Sequence, residues 1–141
     1  MVRLGCVASG LALAAVLAGS PAHADGALAV GSTSNVVRDG LALGSSVNYK
    51  TAEEAVTAAL ERCRNFKSAP RAAALCQSVG SFRGECYAVS FDPKAGTPGA
   101  GWAIAPTKEL AEQRAIQNCR LTAGGNRSEF CRIEESKCDE F

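Results

Sequence analysis

Two stretches of this sequence repeat one another. Thr51 to Cys63, TAEEAVTAALERC, aligns without a gap with Thr107 to Cys119, TKELAEQRAIQNC, matching Thr51 to Thr107, Glu53 to Glu109, Ala55 to Ala111, Ala59 to Ala115 and Cys63 to Cys119. Each begins with a threonine suited to cap a helix and sets small apolar residues at steps of three and four. Each therefore predicts a helix with a narrow buried stripe, and Thr51 with Glu54 forms a capping-box pattern. The likeness extends further, since Gly40-Leu41-Ala42-Leu43 resembles Gly101-Trp102-Ala103-Ile104, and Cys76 answers Cys131. One supersecondary unit used twice is the expectation. Two copies are fewer than a solenoid needs, so the halves are expected to share one core.

The segments around the helices read as strands. Ala27 to Val30, Gly40 to Tyr49, Cys76 to Phe82, Glu85 to Phe91, Trp102 to Ala105 and Phe130 to Glu134 are short apolar or alternating runs. Asp92 to Gly99, DPKAGTPG, is a Pro- and Gly-rich loop. The order strand, strand, helix, strand then occurs twice, in half-repeats of about residues 27–82 and 86–138. It predicts a small α+β domain with the helices packed on an antiparallel or mixed sheet.

The first residues carry Arg3, a short Ala- and Leu-rich run, and Ala22-His23-Ala24. These are the parts of a secretory signal peptide, with cleavage expected after Ala24 and Cys6 removed with the peptide. The apolar run is too short for a membrane anchor, so no integral membrane segment is expected in residues 25–141. Of the 15 Lys and Arg and the 14 Asp and Glu, only Arg3 precedes Asp25. The expected mature chain is therefore charge-balanced and lacks the basic footprint of a nucleic-acid-binding protein.

Six cysteines follow the expected cleavage point: Cys63, Cys76, Cys86, Cys119, Cys131 and Cys138. An even set in an exported chain predicts disulfides, and the absence of a close Cys-x-x-Cys pair argues against both a structural metal site and a thiol oxidoreductase. The repeat suggests pairing Cys63 with Cys76 and Cys119 with Cys131, each tying a helix end to the next strand. Cys86 and Cys138 are then left to bridge the two halves.

The single histidine, His23, lies in the expected signal peptide, which removes histidine-based triads and zinc sites from the mature chain. Sequence alone assigns no catalytic residue, metal ligand or cofactor. Two features stand as a possible binding surface. Trp102 follows a Gly-rich loop and is expected either in the core or at an exposed recognition position. Arg62, Arg64, Lys67 and Arg71 form a local basic patch, either a solvated face or a site for an acidic protein.

The segments GLALGSSVNYKTAEEAVTAALERC, ECYAVSF, GWAIAPTKELAEQRAIQNC and CRIEESKC resemble the small secreted bacterial proteins grouped as domain of unknown function 4189. The resemblance covers roughly residues 26–138. It implies export and a disulfide-bonded α+β domain, and brings no catalytic residues with it. The expected role is a non-enzymatic binding module, secreted or periplasmic, for a protein or cell-envelope component, including an enzyme it inhibits. The alternative is a small carboxylate-based hydrolase of cell-wall glycan or peptide, which requires two acidic residues converging on a cleft.

Overall fold

The computed structural model describes residues 25–140; the expected signal peptide, residues 1–24, lies outside the described residues. Strand β1 (Asp25–Ser32) leads through a short helix α1 (Val36–Asp39) to β2 (Leu41–Tyr49), helix α2 (Ala52–Arg64), a helical turn α3 (Pro70–Ala73) and β3 (Gln77–Phe82). The second half repeats the plan with β4 (Cys86–Phe91), β5 (Ala100–Ala105), helix α4 (Lys108–Ala123), a 3-10 turn (Ser128–Phe130) and β6 (Arg132–Cys138).

Each half forms its own antiparallel three-stranded sheet, in the orders β2-β1-β3 and β5-β4-β6. Helices on antiparallel sheet are thus present, one helix to each sheet. The reason lies in how the strands alternate. On one face each strand carries small residues: Ala27, Ala29 and Ala42 pack against α2, and Ala88 and Ala105 against α4. On the other face stand Leu28, Val30, Phe82, Tyr87 and Val89, which form one cluster drawn from both sheets, with Trp102 and Ile104 packed against it. Alternation by size makes a four-layer stack of helix, sheet, sheet and helix. Strand β1 lies over β4, β2 and β6 together border one cleft, and β3 meets β5 where Gly80 approaches Ile104.

The helices lie unusually close to their sheets because both surfaces are lined by small residues. A Cβ added to Gly44 would fall 2.0 Å from the Ala59 carbonyl oxygen, and one added to Gly101 would fall 2.2 Å from that of Ala115. These two glycines therefore occupy equivalent places, which corrects the sequence alignment of Gly40 with Gly101. Both helices start as expected: Thr51 Oγ1 accepts from the Glu54 amide and Thr107 Oγ1 from that of Leu110, each at 3.2 Å. Buried serines use the same closeness, since Ser46 Oγ donates to the Ala55 carbonyl and Ser90 Oγ to that of Ala115, each at 2.7 Å.

The disulfides are Cys63–Cys76, Cys119–Cys131 and Cys86–Cys138. The first two tie the ends of α2 and α4 to the strands that follow. The third does not bridge the halves as expected. Cys86 and Cys138 are opposite residues on β4 and β6, so this bond staples the second sheet to itself. The halves are instead joined by the inter-sheet cluster and by the C-terminal segment, whose Asp139 accepts hydrogen bonds from the Asn48 and Gly84 amides.

Candidate functional site

The outer strands of the two sheets meet along two seams. At the seam of β2 with β6, an open cleft of about 640 Å³ separates the layers. Its floor is apolar, built from Leu28, Leu43, Val89 and Phe91 with Phe66 alongside, and Ser45, Arg62, Glu134, Glu135 and Lys137 supply its polar rim. A cleft of this size with an apolar floor and a few polar groups has the composition of a ligand site.

The polar groups are held by specific elements. Tyr87, fully buried on β4, reaches across the layers, and its hydroxyl lies 2.8 Å from Ser45 Oγ on β2. Burial pushes the Tyr87 hydroxyl far above the ordinary tyrosine range, and the neighbouring Glu135 adds to that shift. Glu135 faces Lys137, whose Nζ is 2.6 Å from the carboxylate. Burial works to raise the Glu135 carboxyl, but Lys137, the Tyr87 hydroxyl and the charge of Arg62 outweigh it and hold the group below its ordinary value. A bulge in β6 between the partners of Val89 and Ser90 leaves Glu134 unpaired on the strand, so adjacent residues Glu134 and Glu135 both line the cleft.

Arg62 projects from α2 over the edge of β2. Its guanidinium donates to the Ser45 carbonyl and, at 3.3 Å, to the Tyr49 hydroxyl, and it lies 6.0 Å from the centre of the Tyr49 ring. The second half repeats this contact: Asn118, the residue of α4 equivalent to Arg62, donates to the Trp102 carbonyl at 2.8 Å. Each helix thereby covers a carbonyl on an exposed sheet edge, a protection against edge-to-edge pairing.

The sequence-selected surface residues do not converge. Arg62 alone of the basic patch lines the cleft. Arg64 and Lys67 are exposed, and Arg71 pairs with Asp39 at 3.2 Å. That ion pair is the counterpart of Arg127 with Asp92, whose two hydrogen bonds measure 2.6 and 2.5 Å. Trp102 is half-buried against the inter-sheet cluster at the opposite seam, and a smaller recess of about 330 Å³ adjoins it between β5 and α4. From sequence, Tyr87 is expected in the core and Glu135 in an ordinary surface role, and nothing singles out Ser45 or Lys137. The signal for them was the comparison of the halves strand by strand, available only once Gly44 is set against Gly101.

Among the described residues no cluster of three or more His, Cys, Asp and Glu is placed to hold a metal ion, and no helix is long and apolar enough to cross a membrane. A family model described as a domain of unknown function, DUF4189, matches residues 26–138. No curated protein and no solved structure shows a significant match to the chain.

Proposed function

The chain belongs to the DUF4189 family, and from that premise we propose that it is a non-enzymatic binding domain, secreted or periplasmic after loss of residues 1–24, whose macromolecular partner docks at the β2–β6 cleft. One observation carries this reading. Two seams built on the same backbone plan differ in filling, and the open one leaves Leu43, Phe66 and Phe91 only half-buried beneath a charged rim, over a base of buried Leu28 and Val89. A seam that only needed to be stable would be filled, because uncovered apolar surface forgoes roughly 25 cal/mol per Å² of burial.

The hydrolase reading draws on the two glutamates in the cleft. Its acid must carry a proton at working pH, which enzymes arrange by raising a carboxyl pKa. Glu135 is shifted the other way by Lys137 and Arg62, and Glu134 is exposed on the rim. The binding reading fits this electrostatic arrangement better.

The test is saturable capture of a component from fractionated cell envelope or culture medium by the purified, oxidised domain, compared with the Ser45→Trp variant that fills the cleft. Capture by the wild type that is lost in the variant supports the proposal. Capture unaffected by Ser45→Trp, or turnover of cell-wall material by the purified protein, would overturn it.

A further inference from the structure

The second half of the chain contains a worked example of what this backbone plan accepts. Setting Gly44 against Gly101 makes Trp102 the equivalent of Ser45, and the bulges in β3 and β6 make Val79 and Gly80 the equivalents of Glu134 and Glu135. At the β3–β5 seam an indole lies against the inter-sheet cluster, paired with Val89 across the strands. At the β2–β6 seam the small Ser45 stands in that place, its hydroxyl met at 2.8 Å by that of the buried Tyr87, and Leu43, Phe91 and Phe66 line the cleft half-buried above Leu28 and Val89. The group that fits such a seam is thus an aromatic ring.

Charge decides what accompanies the ring. Arg62 is fixed over the cleft by the Ser45 carbonyl and by Tyr49. A guanidinium has five N–H donors, and among the described residues Arg62 forms no ion pair with a carboxylate. Glu135 feels the charge of Arg62 but makes its contact with Lys137, at 2.6 Å, while Glu134 is exposed to water at the bulge. An anchored cation with donors to spare is preorganised for a carboxylate, whereas a solvated rim glutamate holds no fixed position.

We infer that the β2–β6 cleft recognises a polypeptide segment that inserts an aromatic side chain against Leu43 and Phe91 and sets a carboxylate against Arg62. This rests on the reading that the cleft is where the partner docks, and it adds the chemistry of the partner.

N-acetyl-tryptophan, which joins an indole to a carboxylate, is the minimal probe, titrated against the oxidised, isotope-labelled domain and followed by amide chemical shifts. Saturable shifts are expected around Leu43 to Ser45, Val89 and Glu135. The acid should bind about fivefold or more tightly than N-acetyl-tryptophan amide, the scale of one charge-assisted hydrogen bond at a partly exposed site. Arg62→Gln should remove the preference for the acid without removing binding, and Ser45→Trp should abolish binding of both. Phe66→Ala, which leaves the strands untouched, should weaken acid and amide alike and covers the case in which Ser45→Trp fails to fold. Absence of saturable shifts at the cleft, or equal affinity for acid and amide in the wild type, would overturn the inference. If envelope capture is lost in Ser45→Trp while N-acetyl-tryptophan does not bind, the ligand chemistry is wrong and the docking site stands; if capture ignores Ser45→Trp, both fall.

Discussion

Gly44 and Gly101 set the distance between helix and sheet in each half. Replacing either hydrogen with a methyl group places it within 2.2 Å of a helix carbonyl oxygen, so the helix must move outward along its whole alanine stripe. Gly44→Ala is expected to cost about 2–3 kcal/mol by urea unfolding, the upper range for overpacking a tight site. Gly80→Ala, whose nearest obstacle is Ile104 Cδ1 at 3.7 Å, should stay within about 1 kcal/mol. Two carboxylates give a second prediction at this scale. The guanidinium of Arg38 beside Asp39 and that of Arg127 beside Asp92 are the main causes holding these carboxyls well below the usual range. Their folded-state values lie below their unfolded ones, so the stability they contribute is fully present above the ordinary carboxylate pKa of about 4 and is lost as the pH falls below it. Thermal unfolding should therefore be nearly flat from neutral pH to about pH 5 and fall below about pH 4, with a shallower acid slope in Asp92→Asn. Arg38 and Asp39 are neighbours in sequence, whereas Arg71 and Arg127, which occupy matching positions after the two helices, meet Asp39 and Asp92 only in the fold.

At the scale of elements, the helices were the most readable part, because a capping threonine and an alanine stripe specify start and buried face without tertiary information. Strand β1 was harder to read. Its Ala- and Gly-rich composition resembles a weak strand, yet it is the central strand of its sheet, because small residues are what α2 requires on one side. Strand β6 was read too short, ending at Glu134, because Glu135, Ser136 and Lys137 break the apolar alternation. They do so where the strand borders the open cleft. The disulfides give the prediction that belongs here. In the chain-entropy account, the bonds closing separations of 13 and 12 residues are each worth about 3 kcal/mol and the one closing 52 residues about 4 kcal/mol. Replacing Cys86 and Cys138 together by Ser should therefore lower the denaturation midpoint more than replacing Cys63 and Cys76. The reverse ranking would place the main constraint at the helix ends.

For the whole molecule, the duplicated order of elements was evident from sequence, but the stacking of two sheets was not. Each strand shows only that it has a small-residue face and a large-residue face, and the identity of the opposing layer depends on the other half of the chain. The candidate site was hidden for the same reason: Ser45, Tyr87 and Glu135 come from β2, β4 and β6 and are gathered only when the sheets face each other. The two seams are equivalent in backbone and opposite in filling, Trp102 closing one and Ser45 leaving the other open. Urea unfolding of the oxidised Trp102→Ser variant tests this most directly. A loss of about 2–4 kcal/mol is predicted, the scale of removing a half-buried indole from an inter-sheet contact. A Trp102→Ser variant as stable as the wild type would contradict the account.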